Sequence, residues 1–384
     1  MQKSKNSVRI PYSRQWITDA DIQAVVVALK SNYLTQGPLV PRFEKKIADY
    51  CGVRYAVAFS SGTAALHAAC FAAGVTVGDE VITSPMTFAA SANCILYCGG
   101  TPVFADIRSD LPLIDPSAII KRITQKTKAI IPVDFSGLPA DYDEINTIAK
   151  KHKLLVIADA AHSLGATYRG KRVGTLADMT VFSFHPVKLI TTGEGGMVVT
   201  GNPEFFERLV LFQTHGITKD KSKFVKRSDG DWYHEMLALG YNYRLTELQA
   251  ALGLSQFKKI TQFLKRRTEI AELYISFFQN VKELSYIKVP GDRTSAWHIF
   301  PVLLKNKSKR KQLYDRLGRQ NIFTQVHYIP VHYHPFYQVK YSYKAGNFPN
   351  AENFYDTELS LPIFPKLTKS EQNFVLRKLV ECLD

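Results

Sequence analysis

Lys188 is the residue whose surroundings most clearly suggest covalent chemistry. It follows the alternating apolar segment from Met179 to Phe184, and a glycine-rich stretch, residues 191–196, comes directly after it. A lysine that a strand end delivers into a small-residue turn can present its amine to a carbonyl group and form a Schiff base. Since the chain holds 49 lysines and arginines, most of which we expect to be solvated surface groups, this interpretation depends on other motifs.

Two upstream motifs supply further groups that pyridoxal phosphate needs. Asp159 ends the buried-type segment 153–158, and a carboxylate at a strand end could keep a pyridine nitrogen protonated. Residues 60–63 lie between a predicted strand and a predicted helix, where hydroxyl and N–H groups converge on a phosphate. Ser183 would add a hydroxyl. The alternative is structural: Asp159 as a turn residue, and the serines as helix caps or strand ends.

Two rings complete the predicted cofactor site. Phe88 stands at a predicted strand exit, where its face could stack on a pyridine ring, although a core phenylalanine explains the same position. His162, three residues after Asp159, could contact the cofactor's 3-oxygen or the carboxylate that faces the ring. A structural histidine is the alternative.

The elements that must position these residues follow an α/β pattern. Short β-branched segments alternate with helical ones between about residues 54 and 200, which is typical of a mostly parallel sheet. We predict a large domain over residues 1–245 with an N-terminal arm, and a smaller α+β domain over residues 246–384, entered by one long helix from Thr246 to Phe278. The predicted strands cover Tyr55 to Phe59, Glu80 to Thr83, Thr101 to Ala105, Ala129 to Val133, Leu154 to Ala158, Met179 to Phe184 and Met197 to Thr200.

Composition narrows the class of protein. The chain has 384 residues, a net charge of +15 and five cysteines without a CxxC pair. We expect reduced thiols and no metal site. The basic residues are scattered, which favours attraction of an anionic small substrate over nucleic acid, the minor alternative. Because no apolar leader follows the charged N-terminus and segment 81–105 is interrupted by polar residues and proline, we expect a cytoplasmic protein with no membrane partner.

Seven motifs in order resemble the sugar aminotransferases of the DegT/DnrJ/EryC1/StrS group, which are fold type I pyridoxal phosphate enzymes. The resemblance covers nearly the whole chain. The motifs occupy residues 35–38, 61–66, 78–82, 159–162, 183–188, 193–196 and 240–253.

The resemblance implies a role for each matching position. Lys188 would be the Schiff-base lysine and proton carrier, Asp159 the partner of the pyridinium nitrogen, and Phe88 the stacking ring. Relatives often carry glutamine where His162 stands. Members of the group that dehydrate sugars carry histidine at the position of the Schiff-base lysine, so Lys188 favours transamination. The remaining cofactor contacts would come from Ser61, Gly62, Thr63, Ser183, His162 and Asn242, the last reaching the cofactor of a neighbouring subunit. This implies a homodimer with shared sites.

Within the group, residues 10–15, 231–233 and 326–332 are similar to the aminotransferases of pseudaminic acid biosynthesis. That similarity implies transfer of an amino group from glutamate to C4 of UDP-2-acetamido-2,6-dideoxy-β-L-arabino-hexos-4-ulose. The implied substrate contacts are Tyr12, Arg244, His327 and Tyr328. Two alternatives stay open: an aminotransferase for another nucleotide-linked 3- or 4-ketosugar, and a cofactor-binding regulator without turnover.

Overall fold

The computed structural model describes residues 9–383 of the chain. Residues 1–8, where the sequence predicts a basic segment and no apolar leader, and Asp384 lie outside the described residues. The strands are β1 (Tyr55–Phe59), β2 (Glu80–Thr83), β3 (Thr101–Phe104), β4 (Thr127–Ile131), β5 (Leu155–Asp159), β6 (Thr167–Tyr168), β7 (Lys171–Arg172), β8 (Met179–Ser183), β9 (Gly196–Thr200), β10 (Ile217–Thr218), β11 (Glu235–Met236), β12 (Leu284–Tyr286), β13 (Phe300–Leu304) and β14 (Glu358–Leu361).

Helices follow most of these strands. They are α1 (Asp19–Leu29), α2 (Leu39–Cys51), α3 (Gly62–Ala72), α4 (Ala90–Tyr97), α5 (Pro116–Ile120), α6 (Tyr142–His152), α7 (Pro203–Gln213), α8 (Glu247–Phe257), α9 (Ile260–Phe278), α10 (Arg310–Arg319), α11 (Pro335–Tyr341), α12 (Pro349–Thr357) and α13 (Lys369–Leu383). None of the helices within residues 9–383 combines the length and the apolar character needed to cross a lipid bilayer.

Seven strands form the central sheet, in the spatial order β1-β9-β8-β5-β4-β2-β3. Strands β3, β2, β4, β5 and β8 are parallel, whereas β9 is antiparallel to both of its neighbours, β8 and β1. The prediction of a mostly parallel α/β sheet is confirmed. Since β1, β5 and β8 point the same way, their carboxyl ends share one sheet edge, and the segments after them meet there.

The central sheet is buried on both faces, as a parallel sheet with flanking helices must be. In β5, Val156 and Ala158 belong to one hydrophobic cluster and Ile157 to the other. Successive side chains of a strand point to opposite faces, so a continuous apolar segment supplies both cores. This two-sided packing fixes the end of β5, and therefore the backbone position of Asp159.

The helix predicted as one element over Thr246 to Phe278 is two helices, so that prediction is wrong. α8 ends at Phe257 and α9 begins at Ile260, and the intervening Lys259 leaves helical geometry with φ −101° and ψ 4°. The Lys259 Nζ donates to Asp21 Oδ2 at 2.5 Å and to Thr18 Oγ1 at 3.0 Å. Apolar spacing continues across this point, and only the distant partners in the N-terminal arm distinguish a break from a continuous helix.

The C-terminal part is built on an antiparallel sheet of β12, β13 and β14 and has its own core. α9 connects the central sheet to the C-terminal part. Its Phe263 packs in a core beside the central sheet, and its Tyr274 packs in the core of the C-terminal part. Between them, the fully buried Arg267 donates through Nη1 to the carbonyl oxygens of Trp297, His298 and Ile363 at 2.9, 3.0 and 3.2 Å. The boundary at residues 245–246 stays a prediction.

Candidate active site

A cavity of about 780 Å³ opens at the sheet edge where β1, β5 and β8 end, and a wall from the C-terminal part closes it. Eleven of the thirteen residues predicted for the site line this cavity. They are Tyr12, Ser61, Gly62, Thr63, Phe88, Asp159, His162, Ser183, Lys188, His327 and Tyr328. The other two, Asn242 and Arg244, do not line it within this chain.

Lys188 enters the cavity from the turn after β8. Its Nζ lies 3.5 Å from His298 Nε2. Burial lowers the pKa of Lys188 from its ordinary value to about 8, and the like charge of Arg267 acts in the same direction, while Asp159 opposes both. About a tenth of this lysine is therefore an uncharged, nucleophilic amine at pH 7, whereas well under a thousandth of a solvated lysine is uncharged at that pH.

Asp159 lies at the end of β5 and is buried. Its Oδ2 accepts a hydrogen bond from Ser91 Oγ at 2.6 Å, and its Oδ1 accepts one from the Ala161 N–H at 3.2 Å. Burial raises the pKa of the Asp159 carboxyl, against the two donors and the positive charge of Lys188. A cationic N–H in the cavity would stabilise the ionised form and lower that pKa again.

The segment 61–63 forms an anion-binding turn at the start of α3. Ser61 caps the helix by accepting from the Ala64 N–H at 3.1 Å. A Cβ placed on Gly62 would lie 3.0 Å from Ser183 Cβ, so the Ser183 side chain sits against this helix start. The free N–H groups and hydroxyls thus converge at the positive end of the α3 dipole, as a phosphate site requires.

Three rings line the cavity beside Lys188 and Asp159. Phe88 is 59% exposed although it stands at the cavity wall, and its ring centroid lies 5.9 Å from that of Tyr328. His162 Nε2 lies 3.2 Å from the Tyr328 hydroxyl. Burial holds the pKa of His162 well below its usual range, so this ring is neutral and its Nδ1 has no partner within residues 9–383.

Two residues that the sequence did not indicate belong to this arrangement. The His298 ring lies 4.2 Å from the His162 ring, tilted by 42°, and its Nε2 reaches Lys188, while Ser91 donates a hydrogen bond to the Asp159 carboxylate. They lie 110 and 68 positions from the residues that they contact. His298 lies just before β13 and Ser91 lies in α4, and neither has a local motif that could have revealed it.

Asn242 and Arg244 lie near β1 and do not line the cavity. The Ser60 N–H donates to the Tyr243 carbonyl, and Asn242 bridges to Thr214. Asn242 is exposed and Arg244 is half-buried. The single chain therefore does not bring these two side chains to its own site.

The residues present fit pyridoxal phosphate. The cavity offers an amine with a lowered pKa for its aldehyde, a buried carboxylate for its ring nitrogen, and a helix N-terminus with hydroxyls for its phosphate. The buried Nδ1 atoms of His162 and His298 lack partners among the described residues, which is expected where a polar ligand completes the site.

The α/β sheet and the buried lysine and aspartate at its edge define the protein as a fold type I pyridoxal phosphate enzyme. Comparison with known sequences then specifies the family. The model of the DegT/DnrJ/EryC1/StrS aminotransferase family matches residues 15–380. The chain therefore belongs to the DegT/DnrJ/EryC1/StrS aminotransferase family.

Individual relatives are similar along nearly their full length. The chain is 41% identical to the spore coat polysaccharide biosynthesis protein SpsC of Bacillus subtilis, over 96% of this chain and 95% of that protein. It is 39% identical to the UDP-4-amino-4,6-dideoxy-N-acetyl-β-L-altrosamine transaminase of Campylobacter jejuni, over 98% of each. Among solved structures, PseC of Helicobacter pylori, an aminotransferase of pseudaminic acid biosynthesis, superposes with a TM-score of 0.90 at 34% identity, over 98% of this chain and 99% of that one. The predicted fold type and enzyme class are confirmed.

Proposed function

We propose that the chain uses pyridoxal phosphate to transfer an amino group from glutamate to C4 of UDP-2-acetamido-2,6-dideoxy-β-L-arabino-hexos-4-ulose, in pseudaminic acid biosynthesis. The observation that carries the proposal is the placement of Lys188 and Asp159 in one cavity beside the N-terminus of α3. The transaminase of Campylobacter jejuni and PseC of Helicobacter pylori support the choice of substrate. We place the reaction in the cytoplasm and in a homodimer.

When bound, pyridoxal phosphate supplies an aldehyde that captures amines and a ring that withdraws electrons from the carbon next to the captured nitrogen. Asp159 would hold the ring nitrogen in its protonated state, and Ser61, Gly62, Thr63 and Ser183 would hold the phosphate. Phe88 would cover one face of the ring and orient it.

Lys188 has two tasks in this proposal. Its Nζ would hold the aldehyde end of the cofactor until an amino donor displaces it. The freed amine, whose pKa burial lowers to about 8, would then accept a proton in its uncharged form from the donor's α-carbon and return protons on the same face. For the sugar, it would deliver a proton to C4, which fixes the configuration of the new amine.

A substrate panel and two lysine variants test the proposal together. We expect the purified protein to convert the UDP-linked 4-ketosugar, with glutamate, into an aminosugar detected by mass spectrometry. We expect Lys188→Ala to lower turnover by about 10³-fold or more, since it removes both the holding amine and the proton carrier. Lys45→Ala, which removes an exposed lysine paired with Asp49 on α2, serves as the control and should leave turnover unchanged.

Preferred turnover of a dTDP- or GDP-linked ketosugar would replace the substrate assignment by the second candidate, an aminotransferase for another nucleotide-linked 3- or 4-ketosugar. The 41% sequence identity to SpsC of Bacillus subtilis, a spore coat polysaccharide biosynthesis protein, supports this second candidate. Bound cofactor without turnover of any ketosugar would instead indicate a regulator, and full activity of Lys188→Ala would refute the role of the lysine.

A further inference from the structure

Behind the cavity wall, three polar side chains form a continuous chain of hydrogen bonds. His327 lines the cavity, and its Nδ1 lies 2.8 Å from Ser360 Oγ. Ser360 Oγ lies 2.5 Å from Glu358 Oε1, and the second carboxyl oxygen, Oε2, accepts from the His327 backbone N–H at 2.8 Å. Ser360 and Glu358 are fully buried on β14, and His327 is 5% exposed. Ser360 and the imidazole of His327 therefore connect the carboxyl group to the cavity by hydrogen bonds.

The two ends of this series of hydrogen bonds, His327 and Glu358, differ in their surroundings. The other ring nitrogen of His327, Nε2, has no hydrogen-bond partner within residues 9–383, and its ring faces Tyr12 at 5.5 Å. Lys188 is the nearby charge on this side, and His162 and His298 are the titratable rings that interact with His327 there. On the other side, Arg310 is the charge that acts on Glu358, and Tyr328 is the other titratable group beside it. Ser360 is enclosed between its two partners, so it cannot act as a nucleophile toward a ligand.

Burial separates the proton affinities of the two titratable ends. It lowers the pKa of His327 to about 3, so the imidazole alone is a very weak base near neutral pH. It raises the pKa of Glu358 to about 8, against the hydrogen bonds from Ser360 and from the His327 N–H and against the charge of Arg310. A proton held by this group of residues therefore resides on the carboxyl, and the imidazole stays neutral.

The chain of hydrogen bonds has two complete proton arrangements. With Glu358 protonated, its O–H donates to Ser360, the Ser360 O–H donates to His327 Nδ1, and Nε2–H points to the cavity as a donor. With Glu358 ionised, Ser360 donates to the carboxylate, Nδ1–H donates to Ser360, and Nε2 presents a lone pair. When Nε2 gives its proton to a ligand, Nδ1 takes one from Ser360 and Ser360 takes one from Glu358, so one proton moves in net.

We propose that Glu358 and Ser360 are positioning residues that act through His327, exchanging a proton between the buried carboxyl and an oxygen of the ligand in the cavity. The choice of ligand rests on the proposed function: the keto oxygen of the sugar accepts hydrogen bonds only and must leave as water, so it needs a proton donor. The neutral imidazole supplies that donor without placing a second cation beside Lys188.

The tautomer of His327 tests the relay without any turnover. The full chain, loaded with pyridoxal phosphate and also without it, would be labelled with ¹⁵N-histidine, and the His327 signals assigned by their loss in His327→Gln. We expect the proton on Nε2 at about pH 6.5 and on Nδ1 at about pH 9.5, as for a histidine coupled to a titrating neighbour. Glu358→Gln, whose amide can donate to Ser360 permanently, should keep the proton on Nε2 throughout.

Matched variants separate the relay from a structural effect. Glu352→Gln alters the other histidine and glutamate pair, His332 and Glu352 at 3.0 Å, which lies outside the cavity lining, and should leave the His327 signals unchanged. A His327 tautomer that is constant from about pH 6 to pH 10, or that still changes in Glu358→Gln, would overturn the relay.

Single-turnover rates test its use in catalysis. We expect Glu358→Gln and Ser360→Ala to slow amination of the ketosugar by about 10²-fold while the half-reaction with glutamate changes by about twofold or less. Equal slowing of both half-reactions would show a structural role only. Because the tautomer is read without substrate, a failure of the substrate assignment leaves that first result intact.

Discussion

The surroundings of Lys188 act on its pKa in opposite directions. Burial and Arg267 favour the neutral amine, and Asp159 favours the ammonium form. The balance leaves the pKa of Lys188 at about 8. Because the uncharged amine is the form that attacks an aldehyde, the readiness of this site depends on pH in the physiological range.

The first prediction concerns the capture of pyridoxal phosphate by the cofactor-free protein. The folded-state pKa is lowered, so the neutral fraction rises with pH and levels off above about 8, whereas an ordinary lysine would continue to gain reactivity beyond pH 10. Stopped-flow absorbance between about pH 6 and pH 10 measures the rate. A rate that still climbs steeply at the upper limit would contradict the lowered pKa.

At this scale, the chemical groups were predictable and their partners were not. Lys188, Asp159, Ser183 and His162 each follow a strand or a turn with a local pattern, and the structure brings them to one cavity. Their roles remain proposals. Ser91, His298 and Glu358 reach the site from distant segments, and a single sequence contains no signal for contacts between such segments.

At the scale of elements, the site depends on how closely β9 approaches the start of α3. Gly196 pairs with Phe59 of β1 and with Ser183 of β8. A Cβ on Gly196 would lie 2.4 Å from the Ser61 carbonyl oxygen and 2.7 Å from the Gly62 nitrogen. A strand position thus has to be glycine because the anion-binding turn passes directly over it.

The second prediction follows from this contact. Gly196→Ala should displace the turn and weaken binding of pyridoxal phosphate by about tenfold or more, because the clash is with backbone that cannot rotate away. Gly201→Ala is the control, since a Cβ there meets nothing within 4 Å. Absorbance titrations of the two variants give the affinities. Equal affinities would show that the turn does not hold the phosphate.

Most strands of the large sheet were predictable, because strands that are buried on both faces need continuous apolar segments. β1 and β2 begin and end where the sequence predicts. The break between α8 and α9 was not predictable, because the hydrogen bonds from Lys259 to Thr18 and Asp21 decide it. Local propensity carries no information about such partners.

At the scale of the whole molecule, the positions of Asn242 and Arg244 bear on whether one chain forms a complete site. Neither lines the cavity of its own chain, and Asn242 is exposed. In a homodimer with shared sites, these side chains would reach the cavity of the partner subunit. Each complete site would then need residues from two chains.

The third prediction tests that arrangement with mixed dimers. Lys188→Ala and Asn242→Ala chains should each be impaired alone, but mixing them after unfolding and refolding together should restore about a quarter of the native activity, since half of the dimers are mixed and each has one intact site. Activity after refolding measures the recovery. Recovery no greater than the sum of the separately refolded variants would place Asn242 in the site of its own chain or in none.

Arg267 has a mechanical consequence. One guanidinium ties α9 to the carbonyls of Trp297 and His298 and to that of Ile363. Pulling these segments apart would strand a buried cation, at a cost of several kcal/mol on the order of that for a broken buried ion pair. The part of the wall that carries His298 is therefore held firmly to α9, while Phe88 on the cavity wall stays 59% exposed.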